Sequence, residues 1–408
     1  MIALAPYLLR TSCAPLHSVS GNAVDLRYAA EHAILRESAD KFLHERYDYR
    51  TVQKIAASDA GWSREIWAEF AKLGWLGLPF APEDGGIGGG AVELAILMEA
   101  FGKHLVLEPY LPTVVLGGGL IAALGSPAER QSMLPGVTEG QFHLAFAHEE
   151  RDAPTQAQRT SGGYLLRGGK KVVLGGASAE TLLVSARLGE ERLGIFLVPR
   201  ETRGLTVRPY PMVDGRRAAD VDLTDVAVPS AALLGGNEDA GDAVEAVLQR
   251  AIAALSADAV GAIGAMVEAT VDYAKTRVQF GQPIANFQAL QHRMVRMKIR
   301  EEEARASALF ATLSLDGPAA LRARAISGAK AKIGRCARSV HQDAIQLHGA
   351  IGTTDELALG GYAKRLIVYE LLFGSTREHL RRYGAMIADP QVAAAGLLTT
   401  PADESAFP

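Results

Sequence analysis

The feature that most constrains this chain is a change of hydrophobic period, from helical to alternating and back again. From Val24 to about Pro135, Ile34, Phe42, Trp67, Phe70, Leu73 and Leu76 fall at the spacings of packed helix faces. Trp62-Ser63-Arg64-Glu65 puts Ser63 three residues before Ile66, the wording of a helix start. From about Phe142 to Gly236 the apolar runs shorten to Tyr164–Leu166, Lys171–Leu174, Thr181–Val184 and Ile195–Val198. There Ala219–Leu223 alternates as a half-buried strand does. Helical period returns at Asp242, where Ile252, Leu255, Ala259, Ile263 and Met266 trace one face of a long helix. A more polar helix spans Ala289–Leu313, a third follows Pro318 to near Gly349, and a fourth runs from near Tyr362 to Tyr383, interrupted at Gly374. The expectation is an α+β multidomain chain. It has an extension (1–23), an N-terminal helical domain (24–138), a middle antiparallel β-barrel or sandwich (139–236), a C-terminal four-helix bundle (237–386) and a tail (387–408).

Several function classes are disfavoured at once. The net charge of −4 over 408 residues gives no electrostatic reason to bind nucleic acid. No run of about 18 apolar residues is free of charge, so no membrane span is predicted. Cys13 and Cys336 are the only cysteines, which argues against a disulfide framework or a cysteine-ligated metal and fits a reducing cytoplasm. Residues 1–23 lack a basic start, and Pro6, Pro15 and Gly21 interrupt them; they read as an extension or a mis-assigned start, not a secretory signal.

Two glycine clusters and one corner stand out. Gly85–Gly90 does not complete a GxGxxG spacing, because Ala91 holds the last place, and it reads as a flexible turn over a neighbouring surface. Gly117-Gly118-Gly119 lies in an apolar stretch and predicts close helix packing. The corner runs from Tyr273 to Gln288. It closes the long helix, turns at Gly281 and Pro283, and presents Arg277, Gln279, Gln288 and His292. A planar, permanently charged guanidinium beside two amides suits a phosphate-bearing ligand. On spacing alone, a plain helical corner with a capping glycine and an exposed arginine remains an equal reading.

Arg277-Val278-Gln279-Phe280-Gly281-Gln282-Pro283-Ile284 with Phe287-Gln288 resembles the signature of the acyl-CoA dehydrogenase family. Gln346-Leu347-His348-Gly349-Ala350-Ile351-Gly352 stands where that family has Q-x-x-G-G-x-G. The order of the two motifs and the α–β–α plan match from Val24 to Met386. The resemblance implies a flavoprotein, commonly tetrameric, with FAD lying across a subunit interface. Carried over, Arg277, Gln279, Phe280 and Gln288 would contact the diphosphate or adenine side, and Gln346, His348, Gly349 and Gly352 would form a second wall. Ser375 would be a further cofactor contact. The implied reaction removes two hydrogens from carbons α and β of an acyl-CoA, a carboxylate taking the α-proton and the flavin a hydride. The resemblance also implies electron-transfer flavoprotein as a partner, and places Gly85–Gly90 and the loop after Gly374 at the border of the substrate site.

The chain departs from the family pattern where the chemistry would occur. The usual base, a Glu before Gly-Thr, aligns with Phe373, and the minority position on the first bundle helix aligns with Ala251. Where T-E-P and G-S-D are expected, the chain reads Phe146-Ala147-His148-Glu149-Glu150-Arg151-Asp152, and Val172-Val173-Leu174 replaces W-[IT]-[ST]. Phe146, His148 and Val172 are therefore weaker candidates for contact with the flavin. The expectation is a base-lacking, FAD-completing subunit paired with a related catalytic chain. Leu372–Ser375 with His379-Leu380 resembles the small subunit of pimeloyl-CoA dehydrogenase and similar chains of heteromeric enzymes. One alternative is a self-sufficient homotetramer with Glu370 as a displaced base, although an ion pair of Glu370 with Arg365 or Arg377 is the favoured role. Others are a flavin monooxygenase of the same fold and, weakest, a non-enzymatic nucleic-acid-binding relative.

Overall fold

A computed structural model describes residues 29–388. The predicted extension, Cys13 and the tail beyond Ala388 lie outside the described residues. The chain divides into two compact units with the break between Ala254 and Leu255.

The first unit opens with helices α1 (Ala30–Arg46), α2 (Tyr49–Ala57), α3 (Arg64–Lys72) and α4 (Ala91–His104). Asp48 caps α2 by accepting from the Thr51 amide at 2.8 Å, and Ser63 caps α3 by accepting from Ile66 at 3.3 Å, as its position predicts. Phe70, Trp75, Phe101 and Tyr110 form a buried aromatic core. Ile34, expected inside, is exposed. Gly85–Gly90 is not a flexible turn, because Gly86, Ile87, Gly88 and Gly89 all donate backbone hydrogen bonds to residues 77–81. A Cβ on Gly86 would lie 2.1 Å from the Phe80 carbonyl. The glycines at 117–119 do allow close approach: Leu111–Gly118 is a π-helical stretch, and a Cβ on Gly117 would meet Leu144 at 2.5 Å. Two short helices follow, α5 (Gly119–Leu124) and α6 (Pro127–Thr138).

Glu108 is buried among these helices. It accepts from the Tyr47 hydroxyl at 2.7 Å and the Ser63 amide at 3.2 Å. Burial pushes its carboxyl up to about 7, against the downward pull of Tyr47 and Ser63. Between 4.5 and about 7 the native chain therefore holds a proton that the unfolded chain releases. This group's stabilising contribution is full below the unfolded value and is lost as pH rises through the folded one. Glu108→Gln, which cannot ionise, is expected to flatten the fall in thermal midpoint between about pH 5 and about pH 8. Parallel profiles for the two proteins would contradict this.

Among the described residues the sheet has seven strands: β1 (Leu144–Ala147), β2 (Gln156–Thr160), β3 (Gly163–Leu174), β4 (Thr181–Leu188), β5 (Arg192–Pro199), β6 (Leu205–Pro211) and β7 (Arg217–Pro229). The spatial order is β1-β4-β2-β3-β7-β6, with β5 also on β4. Most pairings are antiparallel as expected, but β1 and β2 meet β4 in parallel, so the sheet is mixed. The runs at Tyr164 and Lys171 belong to one strand, β3, bent by irregularities between Leu166 and Gly168 and between Lys170 and Val173. Gly168 is required there, since a Cβ would stand 2.5 Å from Thr155. In β7 the alternation of buried Ala219, Val221 and Leu223 with half-buried Asp220 and Asp222 matches the sequence pattern.

The long helix α7 (Gly241–Thr276) spans the break between units. By length and hydropathy it could cross a membrane, but its most apolar window is 83% buried in the protein, as in a core helix. The second unit continues with a two-residue-stranded hairpin, β8 (Val278–Gln279) and β9 (Gln282–Pro283), and then α8 (Gln288–Leu313), α9 (Ala319–His348), α10 (Leu359–Leu371) and α11 (Thr376–Ala388). The predicted fourth helix is thus two, broken over Leu372–Ser375 by the positive φ of Phe373 (57°) and Gly374 (102°).

Candidate functional site

The corner in the second unit begins where α7 ends. The Arg277 amide still donates to Tyr273 at 2.8 Å, and the Arg277 carbonyl accepts from Ile284 at 2.8 Å, closing the hairpin. Phe280 (φ 52°) and Gly281 (φ 80°) form its turn, both left-handed as a type I′ connection requires. Glycine adopts this backbone freely; phenylalanine does not. Phe280 is also 93% exposed, its ring edge-on to Phe287 at 6.1 Å. A strained, exposed aromatic residue is poorly explained by folding alone and suits a ring-bearing ligand.

The charge at this corner is uncommitted. Among the described residues Arg277 has no side-chain hydrogen bond or ion pair, and Gln288, the first residue of α8, is likewise free and exposed. The Gln279 amide turns back on the Val278 carbonyl at 2.8 Å. No side chain caps α8; its Leu290 and Gln291 amides bond to the Phe287 carbonyl, and those of Gln288 and Ala289 have no partner among the described residues. An uncapped helix start with a neighbouring free guanidinium has the electrostatics of a diphosphate site.

The second motif is fastened to the first. His348 stacks on Tyr273 with ring centroids 4.3 Å apart, and the Tyr273 hydroxyl donates to the His348 carbonyl at 3.4 Å. His348 is buried rather than solvated, and its Nδ1 lies 2.9 Å from the Ala344 carbonyl. Burial holds the imidazole below its ordinary range, the Ala344 carbonyl pulling the other way. It is therefore a clamp between motifs more than a ligand contact. Gly349 (φ 67°) ends α9 with open space where a Cβ would be, so its backbone is approachable. Gly352 is different: a Cβ there would meet His348 at 2.9 Å and Leu359 at 3.1 Å, so it serves internal packing. Gln346 is exposed. Tyr273 was not singled out in the sequence as a site residue; its place one helical turn before Arg277 was the available signal.

Neither residue that the sequence aligns with a family base, Phe373 or Ala251, has an ionisable side chain. The Phe373 carbonyl accepts from His379 Nε2 at 2.9 Å, and Ala251 is fully buried. Ser375 caps α11 in a reciprocal box with Glu378, its hydroxyl donating to that carboxylate at 2.8 Å. Glu370 pairs with neither Arg365 nor Arg377. It accepts from Arg338 at 3.2 Å and from the Thr376 amide and hydroxyl at 3.3 and 2.5 Å, while Arg365 faces Asp258 at 3.8 Å. Its oxygens are committed to joining α9, α10 and α11.

In the first unit, the strand positions expected near a flavin ring are occupied from within. Phe146 stacks on His148 at 4.9 Å, and His148 Nδ1 lies 3.1 Å from the Ser185 hydroxyl. Lys170, fully buried, donates to Glu150 at 2.6 Å, Ser185 at 3.0 Å and the His148 carbonyl at 3.1 Å. Burial and the adjacent Lys170 push His148 down to about 4, so it is neutral. Val172 sits in the bulge at φ 51°, its amide directed at Asp220. The open corner at Arg277 thus has the chemistry that the diphosphate of FAD needs, whereas Phe146 is stacked on His148 and the Val172 amide is directed at Asp220.

The chain matches the model for the acyl-CoA dehydrogenase N-terminal domain over residues 29–141 and that for the C-terminal domain over residues 241–387. FadE12 of Mycobacterium tuberculosis, named an acyl-CoA dehydrogenase, is 32% identical over 72% of this chain and 79% of its own length. Among solved structures, the Tcur3481–Tcur3483 steroid ACAD is 28% identical with a TM-score of 0.81, over 90% of this chain and 99% of that one. The ChsE4–ChsE5 complex of Mycobacterium tuberculosis has a TM-score of 0.84 over the same shares at 24% identity, a likeness of fold. Helices, a curled sheet and helices in this order make the acyl-CoA dehydrogenase fold. The chain belongs to the acyl-CoA dehydrogenase family of FAD-dependent oxidoreductases.

Proposed function

We propose that this chain is the base-lacking, FAD-completing subunit of a heteromeric acyl-CoA dehydrogenase that introduces an α,β double bond into an acyl-CoA thioester. The observation that carries this reading is an asymmetry. The anion-binding corner at Arg277 is free and open, while Phe373 and Ala251 stand at the base positions and Glu370 is bound into the helix junction. When bound, FAD supplies the two-electron oxidation. Arg277 and the first amides of α8 balance the diphosphate charge, Phe280 gives a face for a stacked ring, and Gln288 and Gln346 offer amides at its edge. The α-proton acceptor and the residues around the flavin ring come from a related chain. The paired names of the Tcur3481–Tcur3483 and ChsE4–ChsE5 structures support such an arrangement. Electron-transfer flavoprotein as acceptor and a cytoplasmic setting follow by family analogy.

The test is acyl-CoA oxidation by the chain purified alone and after co-expression with a related catalytic chain from the same genome. Turnover is expected only from the pair. In the pair, Glu370→Gln is expected to leave kcat within about twofold and lower the thermal midpoint, as loss of a partly buried charged contact does. Turnover by the lone chain that Glu370→Gln abolishes would establish the self-sufficient enzyme instead.

A further inference from the structure

A cavity of about 680 Å³ lies within the first unit, where α3 and the turn after α6 meet the end of β6 and the start of β7. Its wall carries Trp62, Trp67 and His143. The three rings pack together, the imidazole 4.5 Å from the Trp62 ring and 5.0 Å from the Trp67 ring. Trp67 is 2% exposed and His143 5%. Among the described residues, Nε1 of both indoles and Nε2 of His143 are buried without a hydrogen-bond partner, and His143 Nδ1 stands 3.7 Å from Glu180. Gly140 (φ 71°) keeps a side chain away from Trp67 Nε1, which a Cβ there would approach to 3.1 Å. An unsatisfied buried donor costs about 1–3 kcal/mol, so several around one cavity call for a reason.

The charges around the cavity narrow what it takes. An indole N–H only donates, which excludes a cation as the group held there. Burial lowers the pKa of His143 against the upward pull of Glu180, which accepts from the His143 amide at 2.6 Å, so the imidazole is neutral. Three carboxylates, Asp59, Glu139 and Glu180, stand against two guanidiniums, Arg64 and Arg217, and Arg217 is committed to the Ala56 and Ser58 carbonyls. An anion would enter against that balance. What remains is a neutral molecule, with carbonyl oxygens for the indoles and N–H groups for an acceptor. Asp59, exposed and without a hydrogen bond or ion pair among the described residues, is that acceptor. Tyr210 between Pro209 and Pro211 adds flat surface, which suits a planar ring. Arg64 lies over the Trp62 ring at 5.6 Å, exposed and without an ion pair among the described residues, and is the part of the wall that swings aside most cheaply.

We propose that this cavity binds a neutral planar ring with adjacent carbonyl and N–H groups, a cyclic amide of the nucleobase kind, its carbonyls on Trp62 and Trp67 and an N–H on Asp59. It is a small-molecule site built from residues other than those of the anion-binding corner. Its occupation requires neither flavin nor turnover, so its failure is separable from failure of the FAD reading.

The experiment is calorimetric titration of the full chain with uracil and with hypoxanthine, alongside benzoate as a planar anion and tetramethylammonium as a cation. At least one of the two cyclic amides is expected to saturate the chain with a Kd below about 1 mM, roughly tenfold or more tighter than either charged probe. It should also change the intrinsic fluorescence, since two of the chain's three tryptophans line the cavity. Trp67→Phe keeps the ring and deletes the N–H, and should weaken that binding about fivefold to tenfold. Asp59→Ala, on the exposed rim, should weaken it about threefold or more, and carries the test alone if circular dichroism shows a fold defect in Trp67→Phe. Binding of neither cyclic amide would mean that water alone fills the cavity and would overturn the proposal. So would tighter binding of benzoate or tetramethylammonium, which would assign the cavity to an ion, or cyclic-amide binding that well-folded variants leave unchanged.

Discussion

Arg277→Met in the assembled enzyme is expected to weaken FAD binding on the order of thirtyfold, with lost flavin as the first visible effect. The guanidinium is free in the chain, so nothing internal is disrupted by its removal. A hydrogen bond to a charged group contributes about 1.5–3 kcal/mol, roughly 10- to 150-fold in affinity. Arg277→Lys should fall between the two, since it keeps the charge and loses the planar fork. Titration of the deflavinated enzyme with FAD, followed by flavin fluorescence, measures this directly. Raised salt should narrow the gap between wild type and Met variant, because an exposed charge is screened. Equal affinities would return the corner to mere architecture.

The second large effect concerns stability. Lys170 is fully buried and held by Glu150, Ser185 and the His148 carbonyl. Burial lowers its pKa and Glu150 draws it back up. Glu150→Ala leaves the ammonium without its countercharge, a change that destabilises by about 3–5 kcal/mol when a buried pair is broken. Glu150 is itself partly exposed and Lys170 can release its proton, so the lower end, about 3 kcal/mol, is expected. Combining it with Lys170→Met should recover much of the loss, because the orphaned charge is gone. Urea unfolding of the two variants tests this. A loss under about 1 kcal/mol would mean that water reaches the cluster and that the strand is less tightly closed than its geometry indicates.

What the sequence disclosed follows physical lines. Strong periods were legible, hence α7 to α11 and the alternating β7, and so was the Ser63 cap. The parallel pairing of β1 with β4 was not, because register across a sheet is a long-range property that no short window carries. Tyr164–Leu166 and Lys171–Leu174 read as two strands because the bulges near Gly168 and Val172 interrupt the alternation within one. At the site, residue type drew attention to Arg277 and Gln288, but only the resemblance of their motif to the family assigned them to a cofactor. The buried clamp of His348 on Tyr273 required seeing the ends of α7 and α9 together. Glu370 was misread for the same reason: Arg338, its partner, is distant in sequence and comes from another helix.

The central claim is that this chain contributes half of a flavin site. The direct measurement is FAD per chain, by absorbance after denaturation, for the chain alone and for its purified complex with a catalytic partner. The account predicts almost no flavin on the lone chain and half as many flavins as chains in the complex, with a lower ratio when Arg277 is replaced by Met. A lone chain that purifies with one FAD per chain and retains it through gel filtration would contradict it.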